Sequence, residues 1–275
     1  MPTRFSLTLA LGALLLATTA EAQDCKPAVA DAELIQPGKL VMSTNPTLPP
    51  LQFVDASGEL KGMRVELGKE IAKRLCLEPE YIRIEFSAMV PGLQSGRWDL
   101  INTGIFYTPE RAAMMQMIPY ENQAISISTA NNSGIEVKSL DDLAGRSIGV
   151  EIGGFEEKQA KAIDAQLREK GLEGATVRTF DNFALAYQAL RAGQVDAMVS
   201  IDGVAEEYAK RGQFHRALHG IGPTPVALAM KSRPLADAVA KVLADMKADG
   251  SFDKLFAEYG VEPVSGELVV KGPAG

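Results

Sequence analysis

Short apolar runs with the two-residue period of a strand alternate with stretches of helical period from residue 38 to 260. That alternation restricts the chain to an α/β fold, because each strand and helix must bury its apolar face against a layer of the other kind. Segment 38–43 reads as a strand that runs into a Pro-rich turn at 45–50, followed by a short extended piece at 51–54. Val65, Leu67, Ile71, Ala72 and Leu75 then recur at helical spacing, and a strand at 81–86, a short helix at 89–94 and a strand at 98–104 follow. A second unit opens near Gly134, with strands at 147–150, 176–180 and 195–200 separated by helices at 156–171 and 183–192. A strand at 226–230 begins the return. Leu235, Val239, Val242, Leu243 and Met246 form an amphipathic stripe after it, a last short helix occupies 252–259, and the tail after Pro263 reads as loosely ordered.

A chain of 275 residues is long enough for one or two cores, and its net charge of −7 excludes a nucleic-acid partner, which demands clustered Lys and Arg. The first residues read as a leader: Arg4, an apolar run at 5–17, and Ala20-Glu21-Ala22 as a small-x-small cleavage pattern, placing the cut after Ala22. That run is shorter than the ~20 residues a membrane span needs. An export signal implies a periplasmic, oxidising destination, which favours pairing Cys25 with Cys76, the two cysteines of the chain. The bond would close a loop of about 50 residues and stabilise by ~3–4 kcal/mol in the chain-entropy view; two buried thiols are the alternative. His215 and His219 stand four apart, but no acid or cysteine accompanies them at metal-ligand spacing, so they read as surface residues. No cofactor motif occurs, and no cofactor or metal is expected.

Several further segments carry a resemblance. Gly38-Lys39-Leu40, the turn Asn45-Pro46-Thr47-Leu48-Pro49-Pro50-Leu51, and Gly62-Met63-Arg64-Val65-Glu66-Leu67 come first. Then follow Pro91-Gly92-Leu93-Gln94-Ser95-Gly96-Arg97-Trp98-Asp99-Leu100, Thr108-Pro109-Glu110-Arg111 and Leu140-Asp141-Asp142-Leu143-Ala144-Gly145. Ala189-Leu190-Arg191-Ala192-Gly193-Gln194-Val195-Asp196-Ala197 and Lys247-Ala248-Asp249-Gly250-Ser251-Phe252 complete the set. In this order and spacing the chain resembles the family 3 extracellular solute-binding proteins. The resemblance implies the type II periplasmic binding-protein fold, two α/β lobes joined by two crossing segments that close on a ligand. One lobe would comprise 26–124 plus 226–275, the other 125–225. It also implies a monomer that captures a carboxylate-bearing solute, an amino acid or related organic acid, and presents it to the membrane permease of an ABC importer.

Carried over residue by residue, the resemblance makes Arg111 the grip on the ligand carboxylate; its planar fork matches two carboxylate oxygens and stays charged when buried. Thr103 and Gly104 precede it on the same lobe. Gly153-Gly154-Phe155 stands where the family has Gly-Thr-Thr, so backbone donors at a helix start remain while a hydroxyl is lost; a plain tight turn is the alternative. The family's ammonium-binding Asp falls on Ile201, with Asp202 one residue late and directed to the other face unless a bulge re-aims it. Glu151, at the carboxyl end of a strand, or Asp202 would then supply the negative side of the site. Leu48, Phe86, Phe106 and Phe155 suggest an apolar pocket, with core packing as the bland alternative, and Tyr120 a rim or hinge position. The same fold hosts dehydratase-like enzymes of the cyclohexadienyl type and sensory ligand-binding proteins. No nucleophile–base constellation is visible, so a non-enzymatic binding protein is the preferred reading.

Overall fold

The computed structural model describes residues 25–273; the leader at 1–22 and its cleavage point after Ala22 lie outside the described residues. Eleven strands and eight helices follow one another as β1 (Lys39–Thr44), β2 (Thr47–Leu48), β3 (Gln52–Val54), β4 (Leu60–Lys61), α1 (Met63–Arg74), β5 (Glu78–Arg83), α2 (Met89–Gln94), β6 (Leu100–Phe106), α3 (Pro109–Ala112) and β7 (Gln116–Ala130). Then come β8 (Ser147–Glu151), α4 (Phe155–Glu169), β9 (Thr176–Phe180), α5 (Phe183–Arg191), β10 (Ala197–Ile201), α6 (Asp202–Lys210), β11 (Phe214–Met230), α7 (Arg233–Ala248) and α8 (Ser251–Tyr259).

Two lobes share one continuous sheet in the order β5-β1-β6-β11-β7-β10-β8-β9. Three parallel strands, β5, β1 and β6, form one end and three more, β10, β8 and β9, the other. Between them run β7 and β11, paired antiparallel from Gln116–Met230 to Ala130–Phe214 with repeated register shifts. These two long strands are the crossing segments. Each serves both lobes, β11 pairing with β6 through Val226–Phe106 and β7 with β10 through Ile201–Ile125. A bulged, twisted two-stranded connection of this kind bends more readily than a flat central sheet.

The helical stripes bury as their spacing predicts: Leu67, Ile71 and Ala72 of α1 and Leu235, Val239, Leu243 and Met246 of α7 are almost wholly buried. Ser232 caps α7 by accepting the Leu235 amide at 3.1 Å, and Thr108 caps α3 by accepting the Arg111 amide at 3.2 Å. Cys25 and Cys76 are joined, with Cα atoms 5.5 Å apart, so the chain start is fastened to the end of α1.

Several expectations need correction. Phe86 belongs to a 3-10 turn after β5 rather than to the strand, because the chain must leave the sheet edge there to bring the ring over the cleft. His215 and His219, read as surface residues, are indeed exposed and sit on β11. The tail is not loose: Val264 N donates to Tyr120 O at 3.0 Å, and Met117 and Lys271 exchange both amide bonds at 2.8 and 2.7 Å. It covers the edge that β7 would otherwise expose, as a buried or unpaired strand edge requires.

Candidate functional site

The carboxyl ends of β1, β6, β8 and β10 meet at one crevice, the place where open α/β sheets leave room for a ligand. β6 contributes Thr103, Gly104 and Phe106; β8 contributes Glu151; β10 ends on Ile201. The starts of α3, α4 and α5 add Arg111, Phe155, Glu156 and Phe183, while Leu48 and Phe86 complete the wall. The space enclosed is only about 10 Å³, so the lobes are shut upon each other. Phe106 and Phe155 stack across it at 4.6 Å between ring centroids.

Arg111 occupies the seam. Its Nη1 donates to Phe106 O at 2.9 Å on its own lobe, and its Nη2 donates to Gly153 O at 3.4 Å on the other. The guanidinium also lies 5.4 Å from the Phe86 ring centroid. Burial pulls its pKa below the usual arginine value, opposed by Glu156 and Glu110. Among the described residues no carboxylate lies at ion-pair distance from Arg111, which leaves a half-buried cation free to accept an acid group. On the outer side it borders an open groove of about 470 Å³ with Thr108, Gly153, Gly154, Phe155, Lys158 and Lys161.

Two buried carboxyl groups line the same cleft as Arg111. Asn45 Nδ2 donates to Glu151 Oε1 at 2.6 Å across the cleft. Desolvation, with the neighbouring Glu156 and Glu85, pushes Glu151 well above the ordinary carboxylate range. Glu156 is raised to about 7, chiefly by burial and in spite of its own amide and Arg111. Glu156 escapes sequence reasoning because an acidic residue in the first turn of a helix normally faces solvent and the helix dipole. Here the glycine pair lets α4 start so close to β8 that the side chain folds inward.

Behind the cleft lies a buried ion pair that sequence reasoning also missed. Arg64 Nε and Nη2 each reach Glu121 at 2.9 Å, and neither side chain is exposed to solvent. Arg64 Nη1 donates further to Gln52 Oε1 and Thr103 O, both at 3.1 Å. Thr103 Oγ1 in turn accepts from Asn45 N at 2.9 Å. Thr103 is thus spent on scaffolding rather than turned wholly to a ligand. Gly104, at φ 91°, must be glycine, since a Cβ there would lie 1.9 Å from Arg64 Nη1.

Other expected site residues lie elsewhere. Asp202 does not face the cleft; its carboxylate accepts from Ser126 Oγ at 2.5 Å and Gly220 N at 3.1 Å and pairs with Arg216 at 3.2 Å. It borders a separate crevice with Glu206, Lys210 and Tyr259. The strand ends on Ile201, which lines the cleft, and Asp202 opens α6, where its side chain turns to Ser126, Gly220 and Arg216 instead. Tyr120 is fully buried, edge-on to Phe256 at 6.1 Å, on a crossing strand but at no rim. The Gly153 amide, expected to meet an anion, is taken by Glu157 Oε2 at 2.7 Å; it is the Gly153 carbonyl that faces Arg111.

The chain is 28% identical over 239 residues to the histidine-binding periplasmic protein of Salmonella typhimurium, covering 81% of this chain and 88% of that one. A solved structure of an ancestral arginine-binding protein bound to arginine superposes with a TM-score of 0.74 at 32% identity, over 81% of this chain and 98% of that one. An ancestral amino acid-binding protein described as a precursor of cyclohexadienyl dehydratase gives 0.72 at 29%, over 81% and 95%. Residues 40–262 match the model of the bacterial extracellular solute-binding proteins, family 3, and the chain belongs to that family.

Proposed function

We propose that this chain is the periplasmic capture component of an ABC importer, closing its two lobes on a small solute that bears a carboxylate, an amino acid or a close relative. One observation carries the proposal. Arg111 is a half-buried guanidinium at the seam between lobes, with no carboxylate at ion-pair distance among the described residues and within reach of both sides. A ligand carboxylate would replace the two carbonyl contacts with charged, bidentate ones. Glu151, across the cleft, takes the ammonium that relatives direct to an Asp. The apolar walls at Leu48, Phe86, Phe106 and Phe155 accept the ligand's carbon skeleton.

Closure follows from differential contact. A ligand touching both lobes binds the shut form more tightly than the open one and shifts the population toward it. Since a cavity of about 10 Å³ admits at most a water, entry requires the lobes to part about β7 and β11. We take the lobes as 26–124 with 226–275, and 125–225, and the protein as a monomer whose shut surface is read by the permease. Among the described residues no helix is long and apolar enough to cross a membrane, which is compatible with that role.

The test is a thermal-shift and calorimetric screen of amino acids, keto acids and aromatic acids. At least one should stabilise the wild-type protein, and Arg111→Ala should lose about 100-fold or more in affinity, since charge-assisted bonds in a buried site are each worth ~1.5–3 kcal/mol. Equal stabilisation of the variant would remove the carboxylate grip.

A second reading rests on Glu156. A carboxyl group whose pKa is about 7, in a water-poor apolar cleft beside an arginine, has the properties of a general acid. Incubating the protein with a cyclohexadienyl hydroxy acid and following aromatisation tests this; turnover would make it a dehydratase.

A further inference from the structure

We propose that Asn182 and Glu85 form a latch across the mouth of the cleft, a direct bond between the lobes that holds them shut in its own right and sets how often they part. The proposal stands on the geometry of the two lobes and does not depend on which solute the cleft takes.

The two residues occupy matching places. Glu85 stands two residues past the end of β5, and Asn182 two residues past the end of β9. β5 and β9 are the outermost strands at opposite ends of the eight-stranded sheet. Each is three places from the nearer crossing strand, which is about 14 Å at ~4.8 Å between neighbouring strands. The turns that follow them nevertheless meet: Asn182 Nδ2 donates to Glu85 Oε1 at 3.1 Å. Since the lobes bend about β7 and β11, a contact this far from both is among those that parting stretches most.

Asparagine suits the position because it has two tasks. Its Oδ1 accepts the Leu185 amide at 3.0 Å and so caps α5, whose Phe183, Ala186, Tyr187 and Leu190 are buried in their own lobe. Aspartate or serine would also cap, but aspartate has no donor left over and serine is too short to cap and reach across together. On the other lobe, Glu85 precedes the 3-10 turn Phe86–Ala88 and is fixed by its carbonyl, which accepts the Ala88 amide at 3.1 Å. Both residues are half-buried. The second Glu85 oxygen is buried and receives no bond from the described residues, so parting returns it to water and the latch is releasable.

The other polar contacts between the lobes differ in kind. The bonds from Asn45 to Glu151 and from Arg111 to Gly153 lie at the solute site, where an arriving solute competes for the same groups. Lys158 and Glu110 are 3.5 Å apart with both side chains about two-thirds exposed, a pairing that water and salt screen. Neither Glu85 nor Asn182 borders the closed cavity. Their bond therefore survives the filling of the cleft and acts on the empty and loaded shut forms alike. It favours shutting before capture and delays escape after it.

The experiment reads opening directly, with a thiol placed inside the cleft. The two cysteines of the chain are bonded to each other, so Leu48→Cys supplies a sole free thiol, on a wall of the cavity whose 10 Å³ admits no reagent while shut. The full chain is stripped of solute by unfolding and refolding with its disulfide intact, and its rate of reaction with a maleimide is measured. Ile201→Cys, on the other lobe, repeats the measurement. Relative to either reporter alone, Asn182→Ser should react about fivefold faster, the scale of one lost hydrogen bond. Asn182→Asp keeps the cap but sets two carboxylates face to face, and should react at least about tenfold faster. Adding Glu85→Gln to Asn182→Asp exchanges donor and acceptor across the gap, and should return the rate to within about twofold of the reporter. Damage to the α5 cap could not be repaired by a change on the far lobe. Equal rates in the reporter and every variant would overturn the latch, as would a reporter that reacts natively as fast as it does in denaturant. A double variant as fast as Asn182→Asp would overturn it too.

Discussion

At the scale of single residues, the hidden pair Arg64–Glu121 does as much to define the site as Arg111. Burial works against the Arg64 charge, and Glu121 more than offsets it, holding the guanidinium above its usual value. The pair also ties α1 to a crossing strand and steadies the Thr103 carbonyl beside the cleft. Removing one partner strands the other charge without water, so Glu121→Ala is expected to cost ~3–5 kcal/mol. The double replacement Arg64→Met with Glu121→Leu should cost far less, because no orphan charge remains. Denaturant titration of the single and double variants measures the difference; a double variant as unstable as the single one would show that the fourfold hydrogen bonding, rather than charge, matters.

Among the elements, α1 illustrates how local and distant constraints combine. Its apolar stripe faces the sheet, its last turn carries Lys73 and Arg74, and Arg74 pairs with Glu70 at 2.8 Å. Just past it Cys76 holds a left-handed φ of 59° and is bonded to Cys25, 51 residues away in sequence. Ala28 N adds a 3.2 Å bond to Leu75 O, so the N-terminal segment is fastened at two points. Replacing both cysteines by serine should lower stability by ~3–4 kcal/mol through the freed unfolded chain. The check is the shift in denaturation midpoint against wild type under oxidising conditions; a reducing agent should bring wild type to the same value. Most of these elements were legible in advance. The stripe at 235–246 and the helix at 89–94 were read within two residues of their bounds. The crossing strands were legible only at 226–230, the end of β11: β7 carries Pro119 and Glu121 in its middle and the rest of β11 carries Gly220, Gly222, Pro223 and Pro225, all of which read locally as loop. They are strands because two chains bend together between the lobes and satisfy one another's amides.

For the whole molecule, the shut cleft links stability to pH. Glu156 titrates near 7 in the folded protein against about 4.5 when unfolded, so between those values the folded state binds more protons. Stability therefore falls as pH rises from about 4.5 to about 7, and this contribution is flat above and below that window. Glu151 acts in the same direction, desolvation holding it well above the ordinary carboxylate range. Glu156→Gln should remove part of the slope, and thermal unfolding of the ligand-free protein at pH 5 and 7 measures it. A variant with an unchanged slope would mean that the carboxyl group stays wet. At lower pH, Asp249, held at about 2 chiefly by Ser251 and then by Arg74, works the other way, so acid eventually destabilises.

The residue order by itself determined the α/β layering, because periodicity is a local property of the chain, and its short motifs carried the resemblance that pointed to the family and to Arg111 as the proposed grip. It also put Phe86, Phe106, Phe155 and Glu151 on strand ends and helix starts, where a cleft forms. What it left open depended on distance. Whether Glu151 or Asp202 faced the cleft turned on where β10 gives way to α6 after Ile201, and whether Glu156 pointed inward turned on how closely α4 approaches β8. Arg64 and Glu121 are 57 positions apart and reveal nothing of each other until α1 packs beside β7. Burial and mutual proximity, which set the charge balance of this site, arise only when the lobes come together.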